Sequence, residues 1–404
     1  MKHSFFFHKR NVSLASYAAL AVFAAVFLLS HCGKGMDERE ARARKAAKNK
    51  GNIVIGVVSP LKLKPAIDSY RQGIELALEE LNGFNKVLGR KIEIIHKDDE
   101  GMVDKGRIIA QEFSSNPDMT AVIGHYNSYI SLQTAIIYEY YGLLMMSPHS
   151  RSPEFPWQSF HLVFQNAVSD EKSMREIMQY LKSKKLNRFV VYYVKDAYGY
   201  SLAQAFEKCA QDFEISIVDS RSFDPSSHAR YFANDLKFWK SNFSFDGIFI
   251  ACLSKEGIEI ISEARKLGMK TTFICGPGLA TRDLLGRRDV ATEGTIVATY
   301  FHPNDPRPEV KKFNESYEKK YGYAPDSEAA LGYDTLHVLA EAMIRAGTTV
   351  PEKVAEELRR LKNWSGATGL HNFNLEGEVT GKSVYICVVR NNRLELIQSS
   401  EPPL

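Results

Sequence analysis

"TAVIGHYNSYISLQTAIIYEYYGLLMMSPHS", residues 120–150, contains two short apolar runs with a helix-length stretch between them. "TAVIG" and "LLMM" are apolar along their whole length, as strands must be when both faces of a sheet are covered. Between them, "LQTAIIYEYYG" has the composition of a helix. Such a strand–helix–strand unit pairs its strands in parallel. The same alternation extends in both directions. Strands are expected at "NIVIGVV" (52–58), "KIEIIHKDD", "RFVVYYV", "EISIVDS", "GIFIACL" and "TTFICGP". Helices are expected at 69–82, 106–113, 170–184, 201–213, 229–240 and 255–267, so the fold class is α/β with doubly wound parallel sheets. About 350 residues exceed what one such sheet needs, which predicts two lobes. The periodicity breaks at the Pro- and Ser-rich segment 147–170. The last third differs, with long helices from Pro308 and Glu328, another at 351–361, and a hairpin "SVYICVVRNNRLELIQ" turning at Asn391-Asn392.

The N-terminus begins with Lys2, Lys9 and Arg10 and continues into an apolar run from Val12 to Leu29, the pattern of an export signal. "LLSHCG" resembles the lipobox of bacterial lipoproteins, which implies a signal peptide over 1–31 and lipidation of Cys32. His31 stands where that pattern has a small residue. An ordinary cleaved signal or an uncleaved anchor are the alternatives, and each places the remainder outside the cytoplasm. Residues 34–51 hold seven Lys/Arg and three Asp/Glu, a net +4; residues 1–33 add +3 to a chain total of +4, leaving −3 for 52–404. The basicity thus belongs to the leader and to a tether over 32–51, expected as a solvated spacer with some helical composition. It suits anionic headgroups and gives no support to nucleic-acid binding. Cys209, Cys252, Cys275 and Cys387 show no zinc spacing. Cys252 and Cys275 end strands that are candidates for neighbours, so a disulfide and free buried thiols both stay open.

Reactive constellations are missing from the sequence. "GEVTGKS" has one residue too few for a phosphate-binding loop and precedes a strand. No G-x-S-x-G, H-E-x-x-H or G-x-G-x-x-G occurs, and no two of the eleven histidines lie four apart. Neither a cofactor, a metal nor an enzymatic activity is expected. Asp98 and Asp99 are paired carboxylates that suit either a cation or, the favoured reading, a structural turn with helix capping. Polar groups do collect at the C-terminal ends of the expected strands, where parallel sheets bind ligands. Asn127 and Ser128 follow "TAVIG", Ser147 to Ser152 follow "LLMM", Asp196 to Tyr200 follow "VVYYV", and Ser254 follows "IFIAC". Hydroxyls, amides and helix N-termini accept an anion but supply no positioned base.

"IGVVSPL", "LGRKIEIIHKDDEG", "AVIGHYNS", "GLLMMSPHSRSPE", "AYGYSLAQAF" and "YDTLHVLAEAMIRAG", in that order, resemble the leucine/isoleucine/valine-binding branch of type I periplasmic binding proteins. The resemblance implies two lobes joined by three crossovers, lobe 1 from 52–167 plus 300–346 and lobe 2 from 168–299 plus 347–404. It places Ser128, beside Asn127, on the ligand's carboxylate, and His149 and Ser150 around a backbone contact. Arg151 replaces the family's Thr, Tyr198 lines the second lobe's wall, and Ser254 or Leu253 stands where another Tyr is usual. The acid that meets the ligand's ammonium is missing near "CGPG", and Glu256 or Asp196 are substitutes; otherwise the ligand is a carboxylate without an ammonium. The expected function is a lipid-anchored solute-binding subunit of an ABC importer, with permease subunits and a small amino-acid-like or carboxylate molecule as partners. A ligand-sensing receptor, or an envelope scaffold retaining a degenerate clamp, are the alternatives.

Overall fold

The computed structural model describes residues 35–62, 66–83, 87–151, 159–224, 229–281, 284 and 290–399. The leader and Cys32 lie outside the described residues. The first lobe is built on five parallel strands in the order β2-β1-β3-β4-β5. They span β1 Ile53–Val58, β2 Ile92–Lys97, β3 Met119–Ile123, β4 Leu144–Ser147 and β5 Val163–Gln165. Helices α2 (Ala66–Gly83), α3 (Val103–Ser114) and α4 (Ser128–Tyr140) connect the first four. The second lobe has seven strands in the order β15-β14-β10-β9-β8-β6-β7. Five are parallel: β6 Arg188–Val194, β7 Ser216–Phe223, β8 Gly247–Ala251, β9 Thr272–Cys275 and β10 Ile296–Thr299. Helices α5 (Asp170–Ser183), α6 (Ala197–Asp212), α7 (Ala229–Asn242) and α8 (Ser254–Lys266) alternate with them.

The chain then returns to the first lobe through α9 (Pro308–Tyr321) and α10 (Ser327–Ala346). Two glycines let α10 lie directly on α2. A Cβ at Gly73 would meet the Ala329 carbonyl oxygen, and one at Gly332 would meet that of Tyr70. This backbone contact fixes the N-terminal turn of α10 beside Tyr70.

The division between lobes differs from the expected one after residue 347. Helix α11 (Pro351–Arg360) buries Val354, Ala355 and Leu358 in the first lobe's core, joined there by Phe373 and Val379. These two residues come from the small antiparallel sheet β11–β13 (Trp364–Gly366, Gly369–Phe373, Val379–Thr380). The apolar side of α11 is already matched to α10, so the crossover comes only after β13. The closing hairpin β14 (Tyr385–Arg390) and β15 (Arg393–Ser399) joins the second sheet antiparallel, and its Asn391 and Asn392 both have left-handed φ. All four described cysteines are buried free thiols, Cys252 and Cys275 included.

The expected solvated tether is also corrected. Residues 35–47 form a helix, α1, docked on the first lobe at the end opposite the strands' C-termini. Arg42, 1% exposed, is the reason. Its guanidinium donates to the carbonyls of Ser114 (2.6 Å), Tyr141 (2.6 Å), Met119 (3.1 Å) and Asn116 (3.2 Å). The Ser114 and Tyr141 oxygens lie at the C-terminal ends of α3 and α4, where carbonyls lack intrahelical partners and the helix dipole is negative, and those of Asn116 and Met119 lie in the turn from α3 into β3. Burial pushes the Arg42 guanidinium down to about 10, which still leaves it charged at neutral pH. Arg39 adds an ion pair to Glu352 at 3.0 Å, and Lys45 pairs with Asp118. Replacing Arg42 by Ala is expected to cost about 1–3 kcal/mol in urea unfolding and to expose residues 35–50 to limited proteolysis. Unchanged stability and an intact protease-resistant helix would contradict the anchoring role.

Candidate functional site

The C-terminal ends of β3 and β4 face those of β6, β8 and β9 across a gap closed at the side by the first turn of α10. A cavity of about 40 Å³ lies there, lined from the first lobe by Tyr126, Asn127, Ser128, His149, Arg151 and Glu328, and from the second by Asp196, Tyr198, Leu253 and Gly278. The lobes touch beside it, the Ser327 hydroxyl donating to the Ala280 carbonyl at 2.9 Å.

The turn after β3 is braced from behind. His125 is wholly buried, its Nδ1 2.7 Å from Asp99 Oδ2 and its Nε2 3.2 Å from the Tyr138 hydroxyl. Ser131 Oγ donates to the His125 carbonyl at 2.8 Å. The Asp98-Asp99 pair is therefore structural: Asp98 Oδ1 accepts from the Leu61 and Glu100 amides, while Asp99 holds the Gly101 amide and His125. With His125 pinned inward, Tyr126, Asn127 and Ser128 are left to face the gap.

Helix N-termini supply much of the cavity's polarity. Asn127 and Leu253 occupy the N-cap positions of α4 and α8 and make no side-chain capping bond, and Asn127 Oδ1 has no partner among the described residues. Their first-turn amides, together with the helix dipoles, favour an anion. The third terminus, α6, is capped by Asp196, whose Oδ1 accepts from the Gly199 amide at 2.8 Å. Burial nonetheless pushes the Asp196 carboxyl up, against the lowering effect of the Gly199 and Tyr198 amides.

Two opposite charges line the cavity, Arg151 and Glu328. Arg151 lies over two phenol rings, its Cζ 5.7 Å from the Tyr198 centroid and 5.1 Å from that of Tyr300. Among the described residues its Nε has no hydrogen-bond partner and no carboxylate comes within 4.0 Å of it. Burial works against its charge, but Tyr300, Tyr198, Asp170 and Glu328 together raise its pKa. Glu328, at the start of α10, accepts through Oε2 from His149 Nε2 at 2.5 Å and from the Tyr126 hydroxyl at 3.4 Å. The Tyr126 and His149 rings lie 3.9 Å apart, with Tyr70 edge-on to both. Burial pushes the Glu328 carboxyl up; His149, by charge and hydrogen bond, and Arg151 outweigh it, so its pKa is lowered overall. Glu328 Oε1 has no partner among the described residues.

Of the sequence-derived candidates, Asn127, Ser128, His149, Arg151 and Tyr198 meet at the cavity. Ser150 does not; it is buried behind the loop, its amide donating to Ser147 Oγ at 3.2 Å. Ser254 and Glu256 also fall outside the lining. Ser254 is the first helical residue of α8, so its side chain turns into the lobe, and Leu253 takes the place facing the gap. Glu256 lies on the half-exposed side of the same first turn. Glu328 was not anticipated. The available signal was an acid on the buried stripe of α10, in line with Gly332, Thr335 and Leu339. Among the described residues no three His, Cys, Asp or Glu side chains form a metal-holding group.

The family model described as periplasmic binding protein matches residues 52–393. A Leu/Ile/Val-binding protein homolog of Brucella abortus is 26% identical over 344 residues, covering 81% of this chain and 87% of that one. Among solved structures, an ABC transporter substrate-binding protein of Desulfitobacterium hafniense in complex with Leu is 35% identical, covers 86% of this chain and 100% of its own, and superposes with a TM-score of 0.76. A leucine-binding protein of Thermotoga maritima is 27% identical at a TM-score of 0.78, over 87% and 99% of the two chains. The chain belongs to the type I periplasmic binding proteins, in the branch that contains the Leu/Ile/Val-binding proteins.

Asp170, next to Arg151, gives the site a pH response. Burial pushes its carboxyl up to about 6, against the pull of Arg151 and of the Ser201 hydroxyl at 3.0 Å. A carboxyl raised in the folded state stabilises fully below its unfolded value near 4, and that stability is lost as pH rises through the folded one. Asp170→Asn is therefore expected to unfold at higher denaturant than the parent at pH 7.5, by up to about 3 kcal/mol at roughly 1.4 kcal/mol per pH unit. The two should coincide near pH 4. A variant less stable at pH 7.5 would contradict the assignment.

Proposed function

We propose that the protein is the solute-binding subunit of an ABC importer, outside the cytoplasm and held to the membrane through Cys32, and that its ligand is a small L-amino acid. The observation that carries this reading is the presence, in the lining of one interlobe cavity, of a cation and an acid oxygen that have, respectively, no carboxylate and no hydrogen-bond partner among the described residues. The carboxylate of such a ligand would sit at the N-terminus of α4, against the Ser128 hydroxyl, with Arg151 beyond it. Its ammonium would meet Glu328 Oε1. A buried charge without a partner is costly, so a site that presents both signs favours a molecule that carries both.

Glu328 thereby takes the place of the acid missing after β9, in preference to the two substitutes considered from sequence. Asp196 is engaged in capping α6, and Glu256 is off the cavity. The termini of α4 and α8, whose N-cap side chains make no capping bond, speak against a degenerate scaffold, since their dipoles favour an anion in the gap. The complex of the Desulfitobacterium hafniense protein with Leu makes a branched-chain amino acid the first ligand to try.

Substituting Ser128 by Ala is expected to weaken L-leucine binding by about 1–3 kcal/mol and to weaken 4-methylpentanoate, which lacks the ammonium, by a similar amount. Glu328→Gln should weaken L-leucine at least tenfold and leave 4-methylpentanoate unchanged. Calorimetric titration of both ligands separates these outcomes. Equal losses for both ligands in Glu328→Gln would remove Glu328 from the ammonium.

A further inference from the structure

A second cavity, of about 130 Å³, lies at the hinge behind Arg151. Its walls are two crossovers, the segment from Gln165 to Lys172 that leads from β5 into α5 and the segment from Glu378 to Lys382 that leads from β13 toward β14. Arg151 lines both this cavity and the cleft.

Its lining carries more positive than negative charge: among the described residues Arg151, Lys172 and Lys382 line it with one acid, Glu378, while Asp170 and Glu176 act on Arg151 and Lys172 from outside the lining. Glu378 is engaged in its own turn, its Oε2 accepting from Asn374 at 3.0 Å. Lys382 is 1% exposed. Its Nζ donates to the Asn166 carbonyl at 2.6 Å, and among the described residues no carboxylate lies within 4.0 Å of it. The acid it senses, Asp334, is committed to the Ala367 amide and to the Thr368 amide and hydroxyl. Lys172 donates to the Lys382 carbonyl at 2.7 Å, which ties the start of α5 to the other crossover. Beside it, Ser169 caps α5, and that helix's positive end adds to the same side of the balance. A buried ammonium with neutral partners alone is costly, and burial pushes Lys382 down to about 7. An anion in the cavity removes that cost.

We propose that the hinge cavity is a binding site for a small monovalent anion, a halide or an acetate-sized carboxylate, held by Lys382 and Lys172 with Arg151 on the wall it shares with the cleft. The volume suits it: a cavity of comparable size holds a molecule of about six heavy atoms, and an ion of one to four leaves room for water. The site stands apart from whatever ligand the cleft takes. Because the occupant bridges two crossovers, it binds one lobe arrangement better than another, and by linkage the cleft ligand alters anion affinity as the anion alters the ligand's.

The test is thermal unfolding of the whole protein at constant ionic strength, with sodium gluconate, whose anion is too large for the cavity, replaced stepwise by sodium chloride or sodium acetate. The expected result is a Tm that rises and saturates with chloride or acetate, and Lys382→Met protein that has lost the response while folding normally in gluconate. A parent Tm that is the same in all three salts, or that changes only linearly, overturns the proposal. So does an equal saturating rise in Lys382→Met, which would put the anion elsewhere. If Lys382→Met does not fold, Lys172→Met replaces it, with the midpoint anion concentration expected to rise at least fivefold and an unchanged midpoint overturning the site.

Discussion

Parallel strands leave helix N-termini at one end of a sheet, and in this molecule two such ends face each other. That constraint sets the rest. The amides of α4 and α8 begin at the gap without side-chain caps, because Asn127 and Leu253 occupy the cap positions and neither bonds back. Backbone donors held this way cannot relax, so the gap is polarised toward an anion before any side chain is considered. His125, buried against Asp99 and Tyr138, keeps the β3 turn from collapsing inward.

Side chains then turn a general preference for negative charge into a paired requirement. Arg151 rests on two phenols and lacks a carboxylate partner, while Glu328 is held by His149 and Tyr126 through one oxygen. The second residue owes its position to backbone contact between α2 and α10. With any Cβ at Gly73 or Gly332 the two helices would move apart, and Glu328 would move with α10. Packing directly behind the cleft thus sets where Glu328 stands. At the other end of the lobe, Arg42 collects the carbonyl ends of the helices whose amide ends serve the site or support it.

Most strands of the two large sheets were legible because they are largely apolar runs between helices with their own period, whereas β5, inside the segment where that period breaks, β10 and the small sheet β11–β13 were not read. The loops after β3 and β4 were legible for the same reason, which is why Ser128, His149 and Arg151 could be placed. The loop after β8 was legible only to within one residue: of Leu253 and Ser254, Leu253 lines the cavity, and the start of a helix is not fixed by composition. Glu328 was hidden inside a helix whose apolar stripe reads as core, although an acid on that stripe was the clue. The tether was misread because its charge suggests solvent, whereas one arginine, Arg42, finds buried carbonyls that exist only in the folded lobe. Helix α11 was assigned to the wrong lobe since amphipathic spacing shows that a face is buried, not against what.

The most direct measurement is calorimetric titration of the parent protein with the twenty L-amino acids, followed by the deaminated and decarboxylated analogues of the tightest binder. The expected result is that one small amino acid binds and that each analogue, carrying only one of the two charges, binds at least tenfold more weakly, about 1.4 kcal/mol or more. A deaminated analogue that binds as tightly as its parent amino acid, or no binding by any of the twenty, would contradict a cleft built for both charges.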